Sequence, residues 1–131
     1  MRIVIADDSD EYREALIHAI SNYPQLIVVG AAKNGAELIE MCDSTAPDIA
    51  MTDIRMPIID GLSAIKKISK NHPKTLLVAF STANTAPIKQ EAIMAGAHIF
   101  FSKDQTMVAL QGIYENYKIE MSQRPEEKQP E

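Results

Sequence analysis

The sequence has no tryptophan, one cysteine, and only four tyrosines and three phenylalanines in 131 residues. With no second cysteine there is no internal disulfide, and Cys42, beside Met41 on a helical pattern, reads as a packed thiol. So few aromatic rings leave little to flank a flavin. Positive charge is also short: 18 acidic residues stand against 13 basic ones, a net charge of -5. No nucleic acid contact is therefore expected of this domain itself, because phosphate binding needs a positive patch. Long hydrophobic runs are missing as well. After Met1-Arg2 the apolar stretch Ile3 to Ala6 stops on two aspartates, too short for the apolar core of a signal peptide or for a membrane span. A cytoplasmic location with no membrane partner is the expectation. What remains, 46% hydrophobic and 24% charged residues, suits one domain burying roughly two thirds of its unfolded surface.

Within that domain, short apolar runs alternate with helical patterns. Strands are expected at Arg2 to Ala6, Leu26 to Ala31, Asp48 to Asp53, Thr75 to Phe80 and His98 to Phe101. Between them, Tyr12, Ala15, Leu16, Ala19, Ile20 and Tyr23 recur at helical steps after a Ser9 or Asp10 cap, with Pro24 as the stop. Asn34-Gly35 precedes a second helix over 36–44. Gly61-Leu62-Ser63 opens a third, with Leu62, Ile65 and Ile68 on one face. Pro87 suits the first turn of a fourth helix running to Ala95, and Gly96 its left-handed cap. Leu110, Ile113, Tyr114, Tyr117 and Met121 mark the inward stripe of the last. Strands that read as continuous apolar runs need helices on both faces, and right-handed crossovers restrict how they connect. The expectation is α/β: a doubly wound, five-stranded parallel sheet of order 2-1-3-4-5, the flavodoxin-like (βα)5 arrangement.

In that order the first and third strands are neighbours, so Asp7, Asp8 and Asp53 converge at the carboxyl edge, where open α/β sheets bind ligands. Three carboxylates about 4–6 Å apart repel by roughly 1–4 kcal/mol per pair. A cation should offset this. Hard oxygen ligands with no histidine nearby favour Mg²⁺, or Mn²⁺. The same edge gains Ser81 and Thr82 after the fourth strand, and Phe100, Phe101, Ser102 and Lys103 at the end of the fifth. Acids to hold a metal, with an ammonium and a hydroxyl on the far side, describe a site for a phosphoryl group, and an aspartate can itself be the nucleophile.

These features together resemble the receiver domain of two-component response regulators, over residues 1–121: Asp7-Asp8, Asp53 in Asp-Ile-Arg-Met-Pro-Ile-Ile-Asp-Gly, Ser81, and Lys103. The resemblance implies that Asp53 accepts the phosphoryl group, that Asp8 binds Mg²⁺ directly and Asp7 through water, and that the Arg55 carbonyl is a further ligand. Ser81 and Phe100 occupy its switch positions, Ser81 reaching the edge before Thr82. Arg55 and Ala83, each two residues beyond a site residue, are expected to flank the path of the hydrolytic water and tune the lifetime of the acyl phosphate. The implied partners are a sensor histidine kinase, an output domain or downstream protein, and a second copy of the phosphorylated chain. The domain would catalyse only its own phosphorylation and dephosphorylation.

Lys103 is followed by Asp104 where many receivers have proline, and this resembles receivers attached to LuxR-type helix-turn-helix domains. A transcriptional, DNA-binding output beginning after Glu131 is the resulting expectation, with residues 122–131, polar and rich in Pro and Glu, as its linker; a stand-alone receiver controlling a partner by binding is the alternative. Ile93 and Met94 fall opposite the Ala92/Ala95 stripe of the fourth helix and offer a surface to a partner. Two other classes fit less well. A flavodoxin-like electron carrier needs a Ser/Thr/Gly-rich phosphate loop where Asp7-Asp8 stand. A Mg²⁺-dependent phosphatase of the haloacid-dehalogenase type needs Asp-x-Asp where Arg55 follows Asp53.

Overall fold

A computed structural model describes residues 1–83 and 85–122, with side chains described through residue 116. Tyr117 and Met121, expected to face inward, and the tail beyond Ser122 lie outside the described side chains and residues. The elements run β1 (Arg2–Ala6), α1 (Asp10–Ile20), β2 (Ile27–Ala32), α2 (Gly35–Thr45), β3 (Ile49–Asp53), α3 (Gly61–Asn71), β4 (Leu76–Ser81), α4 (Ala86–Ala95), β5 (Ile99–Ser102), a single 3₁₀ turn (Lys103–Gln105) and α5 (Thr106–Ser122). All pairings are parallel, in the expected order β2-β1-β3-β4-β5.

Strand alternation divides the core in two. Ile3, Ile5, Ile49, Met51, Val78 and Phe80 bury against Leu16 and Ile20 of α1 and Leu110 and Ile113 of α5. Val4, Ala6, Ala50, Leu77 and Ala79 bury against Leu38 and Cys42 of α2, Ile65 and Ile68 of α3, and Ala92 of α4. Burial on both faces explains why the central strands read as unbroken apolar runs. β2 is different, since at the sheet's margin it leaves Ile27 56% exposed.

The helices α1 to α4 carry side-chain N-caps. Ser9 accepts from the N–H of Tyr12, Asn34 from Glu37, Asp60 from Ser63 and Thr85 from Ile88. Each satisfies a donor that the first helical turn leaves unpaired. Gly96 ends α4 at φ 128°, and a Cβ there would fall 2.8 Å from the Ser69 side chain.

Several strand boundaries differ from the sequence reading by one residue, and Asp48 lies just before β3. Leu26, Thr75 and His98 precede their strands; the first two still belong to turns, their N–H groups donating to Tyr23 and His72 carbonyls. The strands also run one residue further, so Ser81 and Ser102 are inside β4 and β5 and paired in register. Tyr23 lies beyond α1, as suits a residue before proline, and packs against Tyr114 with ring centres 4.8 Å apart and the rings tilted by 43°. Among the described residues no helix is long and apolar enough to cross a membrane.

Candidate functional site

β1 and β3 run side by side in the register Ala6 to Thr52, so the chain that leaves β1 meets the end of β3. There Asp7, Asp8 and Asp53 each offer a carboxylate oxygen within 4.8 Å of the others. Asp7 and Asp53 are buried and Asp8 is exposed. Lys103, at the end of β5, places its Nζ 2.8 Å from Asp7 Oδ2 and 3.2 Å from Asp53 Oδ2. Asp7 Oδ1 accepts from the N–H of Ser9 at 2.8 Å. Its Oδ2 is wholly buried and ion-paired with Lys103 Nζ, and among the described residues it meets no other donor. Three carboxylates within 4.8 Å of one another, opposed by a single ammonium, leave the surplus of hard, negative oxygens that a divalent cation would neutralise.

The local sequence shapes this edge. Asp60 caps α3, and the Gly61 N–H donates to the Ile54 carbonyl at 2.8 Å. A Cβ on Gly61 would lie 2.0 Å from the Asp53 carbonyl oxygen, so any side chain there displaces the strand end that presents Asp53. Between them Ile58 sits at φ 71°, 80% exposed. A β-branched residue in the left-handed region is a strained one.

Charge follows from burial and pairing. Burial pushes the Asp53 carboxyl above the usual range, Asp7 adds to this, and Lys103 opposes both. Burial alone would lower the Lys103 ammonium, but its pairing with Asp7 and Asp53 outweighs that and holds it above its ordinary value. Lys103 is thus a fixed cation. Cys42 is buried, and burial lifts its thiol to about 12, as expected of packing rather than chemistry.

The remaining expected residues are at the same edge but less closely placed. Ser81 is buried at the end of β4, its Oγ accepting from the Ala83 N–H at 3.1 Å, whereas Thr82 is exposed. Ala83 is half-buried. The exposed Arg55 donates its N–H to Asp53 Oδ1 at 3.4 Å. Phe100 is half-buried beside the core under α4 and lines a recess of about 530 Å³ between β5, α4 and α5, away from the carboxylates. On α4, Ile93 is 43% and Met94 86% exposed. The sequence reading did not single out Tyr12 for the site. It sits on α1's apolar stripe like any core residue, yet its ring centre lies 4.4 Å from Lys103 Nζ.

The chain matches the family model for the response regulator receiver domain over residues 3–115. Among curated proteins it is similar to a protein-glutamate methylesterase/protein-glutamine glutaminase of Methanosarcina acetivorans, 37% identical over 81% of this chain and 31% of that protein. A protein of the same description from Aliivibrio fischeri is 36% identical over 79% of this chain and 28% of its own length. The chain thus spans about three tenths of these relatives. The solved response regulator domain of Thermotoga maritima CheB matches with a TM-score of 0.79 and 31% identity, covering 95% of this chain and 98% of that one. The receiver domain of the response regulator NarL of Mycobacterium tuberculosis matches with a TM-score of 0.79 and 29% identity, covering 87% and 95%. The expected transcriptional, DNA-binding output finds no support in the curated relatives described, which are named as enzymes.

Proposed function

Because this chain belongs to the response regulator receiver domain family, we propose that it accepts a phosphoryl group on Asp53 from the phosphohistidine of a sensor histidine kinase and loses it again to water. The observation that carries this is the pairing of Asp53 with Lys103, Nζ to Oδ2 3.2 Å, beside two further carboxylates within 4.8 Å. A buried carboxylate kept beside a permanent cation is a nucleophile whose product, a more anionic acyl phosphate, is already partly neutralised.

In the forward step an Asp53 carboxylate oxygen attacks phosphorus, a P–O bond forms as the P–N bond breaks, and the departing imidazole nitrogen takes a proton from solvent. In a separate hydrolytic step water attacks phosphorus, a new P–O bond forms as the bond to the Asp53 oxygen breaks, and inorganic phosphate leaves with the carboxylate restored and the water's proton lost to solvent. Lys103 contacts the transferred oxygens throughout. Asp8 and Asp53, with Asp7 behind them through water and the Arg55 carbonyl beside them, would hold Mg²⁺ (or Mn²⁺). That ion supplies neutralisation of the phosphoryl oxygens. Arg55 and Ala83 border the path of the attacking water and set the lifetime of the acyl phosphate.

Ser81 hydroxyl moving to the new phosphoryl oxygens, with Phe100 turning inward from its half-buried position, would shift the population of the α4, β5 and α5 surface. The output of that shift is read by another domain or protein. Similarity to the receiver segments of protein-glutamate methylesterases supports an enzymatic output over a transcriptional one. Intact-mass measurement with acetyl phosphate and Mg²⁺ tests the phosphoacceptor reading. Wild type should gain one phosphoryl group, and Asp53→Asn or EDTA should prevent it; equal labelling of Asp53→Asn would end the claim.

A further inference from the structure

Tyr12 occupies the third helical position of α1, fixed there because its own N–H donates to the capping Ser9 Oγ at 3.1 Å. Its ring lies beside Phe80, centre to centre 5.3 Å, and Lys103 Nζ stands 4.4 Å from the Tyr12 centre and 5.7 Å from the Phe80 centre. The tyrosine's hydroxyl is hydrogen-bonded to Thr106 Oγ1 at 2.6 Å, and that same Oγ1 donates to the Lys103 carbonyl oxygen at 2.7 Å. One side chain therefore touches Lys103 twice, directly at its ammonium and through Thr106 at its backbone.

We propose that Tyr12 is a positioning residue for Lys103. Its ring is a floor that holds the ammonium between Asp7 and Asp53, and its hydroxyl ties down the backbone from which Lys103 projects. The physical need is clear from the lysine itself. A flexible four-carbon stem ending in a strongly hydrated point charge has little preorganisation of its own. An aromatic face attracts the ammonium through the ring quadrupole and excludes water from that side, so the charge stays directed at the carboxylates. Simple packing would account for the ring's burial but not for the hydroxyl's bond to the residue that also holds Lys103.

The consequence for phosphoryl transfer rests on the function proposed above, so the two are tested separately. The first measurement uses the unphosphorylated, Mg²⁺-free chain with ¹³C-labelled lysine. The ε-methylene of Lys103 should show an upfield ring-current shift and an NOE to the Tyr12 ring; Tyr12→Phe should keep the shift, and Tyr12→Leu should lose most of it. Absence of the shift and the NOE in wild type overturns the proposal without need of any variant. So does a shift unchanged in folded Tyr12→Leu.

The second measurement is the rate of labelling by acetyl phosphate at saturating Mg²⁺. Tyr12→Leu should slow it about 3- to 30-fold, the range a partly desolvated cation–ring contact represents. Tyr12→Phe and Thr106→Val, which keep the ring and break the tie, should each slow it about 2- to 10-fold. A Tyr12→Leu rate within twofold of wild type overturns the positioning role. No labelling of wild type at all would refute the proposed function, while the NMR result still decides the contact between Tyr12 and Lys103.

Discussion

Replacing Asp53 with asparagine should make the metal-free protein more stable. At an effective dielectric of about 20, Lys103 at 3.2 Å attracts the Asp53 charge by about 5 kcal/mol, and Asp7, within 4.8 Å, repels it by about 3.5 kcal/mol or more. Asp8 is exposed, so its repulsion, screened by water, is nearer 1 kcal/mol. These terms nearly cancel. What is left is the cost of taking a carboxylate out of water, several kcal/mol after relaxation, which agrees with burial as the main cause of the raised Asp53 pKa. Asparagine keeps the shape, removes the charge and leaves Lys103 paired with Asp7. A gain of about 1–3 kcal/mol follows, or a rise in Tm of about 3–10 °C for a domain of this size.

The pH dependence has a definite sign. A carboxyl whose pKa is raised on folding binds a proton more tightly in the native state, so wild-type stability falls as pH rises from the ordinary Asp range through the raised value. The advantage of Asp53→Asn should accordingly be small near pH 4, open as pH rises through the raised pKa, and stay constant above it. Thermal melts in EDTA across that range provide the check. An asparagine variant no more stable than wild type at pH 7, or an advantage that does not shrink in acid, would refute the reasoning.

Mg²⁺ should raise the Tm of wild type in proportion to the logarithm of its concentration, with about 2.7 kcal/mol gained at a hundredfold excess over Kd, and Asp8→Asn should flatten that titration in calorimetry or melts. Gly61→Ala should destabilise by about 2 kcal/mol or more in urea unfolding, because its Cβ would fall 2.0 Å from the Asp53 carbonyl; a variant as stable as wild type would mean the loop moves aside freely. Ser81→Ala should still be phosphorylated but lose most of the NMR response of residues 85–116 to beryllofluoride. Identical responses in the two proteins would remove Ser81 from the switch.

The strand ends made the site legible before any coordinates. β1, β3, β4 and β5 are apolar runs that give way to polar groups, at Asp7, Asp53, Ser81 and Ser102-Lys103, and parallel order 2-1-3-4-5 brings those ends to one edge. Asp60-Gly61 was visible as a turn, but the reason for its glycine, contact with the Asp53 carbonyl, depends on how α3 abuts β3. Strand starts were misplaced by a residue because Thr75 has strand propensity while its N–H is taken by a turn to His72. The left-handed Ile58 had no signal, since a β-branched residue is the last one expected there. Tyr12 was hidden for another reason. Helical periodicity says that a side chain faces inward and is silent about which charged group waits for it across the boundary between α1 and β5.

The central claim is that the phosphoryl group is carried by the Asp53 carboxylate, and trapping the acyl phosphate with borohydride tests it most directly. Reduction converts a phosphorylated aspartate to homoserine, which peptide mass spectrometry locates to a single position. After treatment with acetyl phosphate and Mg²⁺ the account predicts homoserine at residue 53 and at neither Asp7 nor Asp8. Homoserine at one of those two aspartates, or none in a protein that has gained a phosphoryl group, would contradict it.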